Sequence, residues 1–210
     1  MINIVIVDDH AILRRGLSQI ISESGDMKVV GEAENSAQAL RLLREQPCDV
    51  MLLDITLPDR NGIETLKLVR KEQPKLPVLM LSMHPENQYA LRALKAGAAG
   101  YLTKQSAASQ LVSAIRQVNS GRKYVTPAVA EELANSFDRD SERPAHEQLS
   151  MREYQTMCMI ASGQSLTDMA ARMSLSVKTV SVYRARVLEK MRLKNNAEIT
   201  HYAIKNQLVE

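Results

Sequence analysis

The 210-residue chain contains no tryptophan, one phenylalanine and six tyrosines. Single-stranded nucleic acid is gripped by stacking on aromatic faces, so this scarcity excludes a platform of that kind. There are two cysteines, Cys48 and Cys158, far apart and without metal-ligand spacing. That excludes a disulfide framework and a thiolate metal centre, and leaves two buried thiols as the expectation. No apolar run approaches the roughly 20 residues of a membrane span. The N-terminus lacks the basic segment and cleavage site of a secretory leader, and its first apolar run is broken by Asp8 and Asp9. A soluble, cytoplasmic protein without membrane association is therefore expected. Internal repeats and low-complexity tracts are also missing.

What is present is a composition able to build cores, 45% hydrophobic and 24% charged, with its charge unevenly spread. Residues 1–121 hold 14 Lys/Arg against 13 Asp/Glu, and residues 122–147 hold 4 against 6. Residues 148–210 hold 9 against 5, and within 178–194 the counts are 6 against 1. A polyanion would bind at that C-terminal end.

Along the first 120 residues, short apolar runs alternate with amphipathic stretches. Strands are expected at 2–7, 28–33, 49–53, 77–82 and 99–102. Helices are expected near 11–23, 36–46, 62–73, 86–96 and 106–120. Five strand–helix units with short connections point to a parallel sheet with helices on both faces. Burial on both faces accounts for the unbroken "VMLLD" run. The stretch 122–147 carries one short helix, capped by Thr126 with Pro127 in its first turn. From 138 to 147 it is polar, a flexible linker by composition. The remainder, 148–210, is helical. Ser150 with Glu153 forms a capping box, Ser165 with Asp168 a similar start, and Gly163 stops the first of these helices. Asn195 with Glu198 opens a last helix reaching about 208.

Asp8 and Asp9 end a core strand side by side. Two like charges about 4 Å apart repel by roughly 4 kcal/mol at an effective dielectric near 20, so their pairing needs a reason. In an open parallel sheet, ligands bind beyond the carboxyl ends of the strands. There the third strand delivers Asp54, the fourth Ser82 and the fifth Lys104. Three carboxylates without cysteine suit Mg²⁺ better than zinc. His10 beside the pair reads as the residue leading into a helix. A hydroxyl and an ammonium complete the set needed for reversible phosphorylation of a carboxylate, with Asp54 attacking phosphorus and Lys104 and Ser82 steadying the equatorial charge.

In the basic region, "SLTDMAARM", "SLS" and "VKTVSVYRARVLEKM" read helix, turn, helix, with Ser176 as the cap of the second helix. Val180, Val187, Leu188 and Met191 form the buried stripe of the second helix. Lys178, Ser181, Val182, Ala185 and Arg186 face outward, flanked by Arg184 and Lys190. Small residues between cations let a helix approach closely in a major groove while the cations reach phosphates.

"VDDH", "LLDITLP…NG", "LS" and "GYLTK", in that order at strand ends, resemble the receiver domain of two-component response regulators over residues 1–120. Residues 149–204 resemble the LuxR-type helix-turn-helix domain through Glu153, Gly163, "KTV" at 178–180 and "LEKMRLKN". Together they resemble the NarL/FixJ family of response regulators. The resemblance implies an α/β fold: a five-stranded parallel doubly wound (flavodoxin-like) receiver at 1–121, a linker at 122–147 and an all-α DNA-binding domain at 148–210. It implies Asp54 as phosphoacceptor for a sensor histidine kinase. Asp9 would be a direct Mg²⁺ ligand, Asp8 a close or water-mediated one, and the Thr56 carbonyl a further one. Ser82 and Tyr101 would be the switch, and Lys104 the partner of the phosphoryl group or of Asp54. It implies Ser181, Val182 and Ala185 as base-facing positions, with Lys178, Thr179, Arg184 and Arg186 on the backbone of duplex promoter DNA. Phosphorylation would control homodimerisation and sequence-specific DNA binding, so the protein is a regulator and not an enzyme. Gln105 stands where many receivers have proline, and Arg60 where an apolar residue is common.

Two rival classes compete with that reading: a constitutive DNA-binding regulator with a vestigial receiver pocket, and a protein-interaction module whose basic helix is incidental. A phosphatase of the haloacid dehalogenase type needs a second aspartate two residues after the nucleophile, and that position is Thr56.

Overall fold

A computed structural model describes residues 1–83, 86–138 and 144–209. It divides into two compact units, Met1–Glu132 and Leu133–Glu210.

The first unit is built on five strands: β1 (Ile2–Val7), β2 (Met27–Ala33), β3 (Val50–Asp54), β4 (Val78–Ser82) and β5 (Gly100–Thr103). They form one sheet in the order β2-β1-β3-β4-β5, every pair parallel. Every residue of β3 and β4 is buried, as sheets covered on both faces require. The helices are α1 (Ala11–Glu23), α2 (Ser36–Glu45), α3 (Gly62–Glu72), α4 (Glu86–Lys95) and α5 (Lys104–Asn119). On one face Ile4, Ile6, Leu52, Leu79 and Leu81 pack with Leu17 and Ile21 of α1 and Leu111 and Ile115 of α5. Most element ends fall within two residues of the sequence expectation, the ordinary fraying margin. The start of α5 is corrected from 106 to Lys104. Thr103 takes the cap, accepting the Ser106 N–H, so the lysine sits in the first helical turn directly after β5.

Register sets the strand ends side by side. Val7 of β1 pairs with Leu53 of β3, so Asp8 and Asp54 follow in step on neighbouring strands. Asp54 pairs with Leu81 and Ser82 with Thr103. Four strands thus deliver Asp8, Asp54, Ser82 and Lys104 to one rim.

Helix α6 (Pro127–Asp138) follows, with the Val129 N–H 3.5 Å from Thr126 Oγ1. Residues 139–143, within the expected linker, lie outside the described residues. Its far end is not linker-like. Ala145–Gln148 forms a 3-10 turn, because the His146 ring Nδ1 lies 3.0 Å from the Tyr202 hydroxyl. The second unit continues with α7 (Met151–Ala161), α8 (Leu166–Met173), α9 (Val177–Met191) and α10 (Asn196–Lys205). Each starts on the cap foreseen from sequence: Ser150 with a full capping box, Ser165, Ser176 and Asn195. Ser174 in αL geometry (φ 52°) turns the chain between α8 and α9.

Candidate functional site

The rim of the sheet gathers charge that the chain has otherwise buried. Asp8, Asp54 and Ser82 are essentially inaccessible. Donor atoms of Asp8, Asp9, His10 and Asp54 all lie within 4.8 Å of one another. Lys104 Nζ is 2.8 Å from Asp54 Oδ2 and donates to it, and 2.7 Å from Asp8 Oδ2. The second contact is an ion pair without hydrogen-bond alignment, so Asp8 Oδ2 is a buried oxygen with no hydrogen bond of its own.

Titration behaviour follows from this crowding. Burial, with Asp8 adding repulsion, outweighs the attraction of Lys104 and pushes the Asp54 carboxyl up from 3.8 to about 6. Burial works against the Lys104 charge, but Asp54 and Asp8 outweigh it and hold the ammonium above its ordinary value. The pocket is acidic and under-compensated: Asp8 and Asp54 share one ammonium, and Asp9 stands beside them. Three carboxylates, one with a buried oxygen that has no hydrogen bond, fit a hard divalent cation, which would relieve that repulsion.

Local sequence explains the shape. The Thr56 N–H donates to Asp54 Oδ1 at 3.2 Å. Asn61 accepts the Ile63 N–H and so starts α3. Gly62 is obligatory because a Cβ there would overlap the Asp54 carbonyl oxygen and the Ile55 backbone. Tyr101, on β5 one strand from Ser82, is 2% exposed, its ring packed inside. His10 stands at the head of α1 without a side-chain cap bond, yet its Nδ1 lies 2.7 Å from Asp9 Oδ1. It is both the helix-leading residue expected and a neighbour of the acidic pair.

In the second unit the outward face of α9 carries Lys178, Ser181, Val182, Ala185 and Arg186, all exposed. Val182 is 44% exposed, as is Val177 at the start of the same helix. Val180, Val187 and Met191 are buried as expected, while Leu188 is only partly so. Thr179 is half-buried, its hydroxyl 2.8 Å from that of Ser176. Two expected cations are engaged inside the unit. Arg184 Nε donates to Asn196 Oδ1 at 2.6 Å, which turns part of its guanidinium toward α10. Lys190, read as a flanking cation, pairs instead with buried Glu153 at 2.7 Å. Burial opposes the Glu153 charge, but Lys190 and the Ser150 N–H more than offset it, so its carboxyl lies below the usual range.

Sequence reasoning missed Arg14 and Asp59, which grip backbone around the acidic pocket. Neither lies at a strand end, and no spacing announces them. The long, buried Arg14 on an otherwise apolar helix face was the available signal.

Comparison with known proteins agrees with both halves. Residues 4–116 match the response regulator receiver domain, and residues 147–203 match the bacterial regulatory proteins of the luxR family. The chain is 36% identical over 209 residues to the response regulator UvrY of Escherichia coli K12, covering 99% of this chain and 96% of that protein. It is 34% identical over 211 residues to the response regulator GacA of Pseudomonas aeruginosa, covering 100% and 99%. Among solved structures it resembles the RcsB response regulator of Salmonella typhimurium, studied for its DNA interaction, at 25% identity and TM-score 0.57 over 98% and 100% of the two chains. A two-component response regulator RcsB–DNA complex aligns at 25% identity and TM-score 0.58 over 97% and 98%. With one model over residues 4–116 and the other over 147–203, the chain belongs to the response regulators that join a receiver domain to a luxR-family domain.

Proposed function

We propose that this chain is a transcription regulator whose binding to duplex DNA is controlled by phosphorylation of Asp54. The observation that carries the reading is the clustering of Asp8, Asp9 and Asp54 at the rim, with the Lys104 ammonium on both Asp8 and Asp54. The donor would be the phosphohistidine of a sensor histidine kinase or a small acyl phosphate. A carboxylate oxygen of Asp54 attacks phosphorus, the bond to the leaving group breaks, and its electrons depart with imidazole or acetate. Asp9 and Asp54, with the Thr56 carbonyl and a close Asp8, would hold Mg²⁺, which supplies the positive charge that balances the carboxylates and the incoming phosphoryl oxygens. Lys104 then exchanges its Asp54 contact for a phosphoryl oxygen. Ser82, at the end of β4, would donate to another, and Tyr101 would respond to the space that movement vacates. This shifts an existing equilibrium between two receiver arrangements.

The output would be DNA binding by α9 in the major groove. Ser181, Val182 and Ala185 would approach bases, and Lys178, Thr179, Arg184 and Arg186 would contact backbone. The functional divisions would be 1–121, 122–147 and 148–210, with a homodimer reading an inverted repeat. Placement in the cytoplasm follows from a DNA target. The intact set Asp8, Asp9, Asp54, Ser82 and Lys104 favours this over a constitutive regulator with a vestigial pocket.

The test is duplex binding with and without acetyl phosphate and Mg²⁺, using DNA selected from a random library. Affinity should rise on phosphorylation and fall steeply with salt, with a log–log slope near −0.9 per phosphate contact. DNA binding unaffected by the phosphodonor would favour the constitutive regulator, and no binding at low salt would remove the DNA reading altogether.

A further inference from the structure

Two loops build the acidic pocket: the turn after β1, with Asp8 and Asp9, and the turn after β3, running from Ile55 to Asn61. A third connection, Glu34–Asn35 between β2 and α2, contributes no atom to the pocket. It is nonetheless tied to both of the others, through Asp59 at the first turn of α2 and through Arg14 of α1. On one side the Asp59 carboxylate accepts the Ser36 N–H through Oδ1 at 2.9 Å and the Ala37 N–H through Oδ2 at 3.1 Å. Those are two of the unsatisfied donors of the first turn of α2, where a carboxylate is favoured by charge as well as by bonding. Asn35 accepts the Gln38 N–H, and Gln38 Oε1 accepts the Glu34 N–H.

On the other side stands Arg14 of α1, with a side chain 9% exposed. Its Nε donates to Glu32 Oε2 at 3.1 Å, its Nη2 to Glu34 Oε1 at 2.8 Å, and its Nη1 to the Asp8 carbonyl oxygen at 2.7 Å. A planar guanidinium with a fixed fork of donors can make these three bonds at once, whereas an ammonium on a flexible stem cannot hold the same directions. The Asp8 carbonyl belongs to the same peptide plane as the Asp9 N–H, so Arg14 fixes the plane that joins the two aspartates. The Asp8 N–H is held by the Ala33 carbonyl, and Asp8 Oδ1 accepts the His10 N–H. With Arg14 in place, Asp8 Oδ2 is the remaining oxygen, directed at the pocket and facing Lys104.

We propose that Arg14 and Asp59 are positioning residues: anchored on Glu32, Glu34 and the first turn of α2, they brace the two pocket loops and set Mg²⁺ affinity without touching the metal. The inference rests on the Mg²⁺ reading above. For Arg14 it differs in sign from a purely electrostatic role. Removing a cation this close to the acidic cluster should tighten Mg²⁺ binding through space, whereas loosening the peptide between Asp8 and Asp9 should weaken it.

The experiment is calorimetric titration of Mg²⁺ into the full-length unphosphorylated chain: wild type, Arg14→Met, Arg14→Lys, Asp59→Asn and Asp9→Ala as the control for the site. Loss of residues that orient metal ligands typically weakens affinity by about 10- to 100-fold. Arg14→Met should bind Mg²⁺ at least about tenfold more weakly despite losing a positive charge. Arg14→Lys, which keeps the charge, should also weaken binding, and it decides the matter if the methionine variant does not fold. Asp59→Asn should weaken binding in the same direction. Wild-type binding that is abolished in Asp9→Ala but unchanged or tighter in both Arg14 variants overturns the brace and leaves the metal site standing. A lowered thermal midpoint with unchanged affinity does the same. No Mg²⁺ binding by the wild type overturns the site reading and the brace with it.

Discussion

Replacing Asp54 by asparagine should stabilise the first unit when divalent cations are absent. The Asp54 carboxyl is raised from 3.8 to about 6 by burial and by Asp8, with the attraction of Lys104 already included. Asparagine mimics the protonated form in shape and charge. A tenfold change in a proton-binding equilibrium corresponds to about 1.4 kcal/mol, so ionising Asp54 in the folded chain at pH 7.5 costs about 3 kcal/mol relative to the unfolded chain. A folded-state value above the unfolded one means that relative stability is fully present below pH 3.8 and is lost as pH rises through 6. The advantage of Asp54→Asn is therefore largest at pH 7.5, about half as large at pH 5, and gone below 3.8. For a unit of this size about 3 kcal/mol corresponds to roughly 10 °C in thermal midpoint. Differential scanning calorimetry in EDTA reads it, with the relevant transition identified as the one that Mg²⁺ raises in the wild type. A midpoint at pH 7.5 equal to or below wild type would refute the account of a strained, under-compensated carboxylate.

Other consequences follow from the same geometry. Lys104→Ala removes the ammonium that touches both Asp54 and Asp8; it should destabilise the first unit by about 3 kcal/mol and impair activation by phosphodonor, measured as the loss of phosphorylation-dependent DNA affinity. Glu153→Ala should cost the second unit about 2 kcal/mol, because a half-buried charge-assisted bond to Lys190 and a helix cap go together. Since the Glu153 carboxyl is held below its ordinary value of 4.5, its contribution is present above that pH and lost as pH falls, and an acid titration of the second unit's midpoint reads this. Exposed Val182 offers an apolar surface suited to a thymine methyl group. In the selected half-site, deoxyuridine at one thymine should lower wild-type affinity, and the same replacement should have no effect on Val182→Ala.

Most of the pocket is legible in sequence because the sheet does the assembly. Once "VDDH", "VMLLD", "VLMLS" and "GYLTK" are recognised as strand ends of one parallel sheet, Asp8, Asp54, Ser82 and Lys104 must share a rim, and register puts them there. The four caps of the second unit are equally readable, since each depends on a residue three positions away. What escaped depends on contacts between distant segments. Arg14 meets Glu32 and Glu34 across 18 and 20 residues, and Lys190 meets Glu153 across 37. No period or local motif encodes such partners. The 3-10 turn at Ala145–Gln148 was hidden for the same reason: polar composition suggested linker, while the Tyr202 hydroxyl, 56 residues away, supplies the anchor.

The central claim is that the acidic rim exists to accept a phosphoryl group on one aspartate. Intact-mass analysis after incubation with acetyl phosphate and Mg²⁺, followed by peptide mapping, tests it most directly. The wild type should gain the mass of a single phosphoryl group located on Asp54, Asp54→Ala should gain none, and EDTA should suppress the reaction. A wild type that stays unmodified, or a phosphoryl group found on another residue, would contradict it.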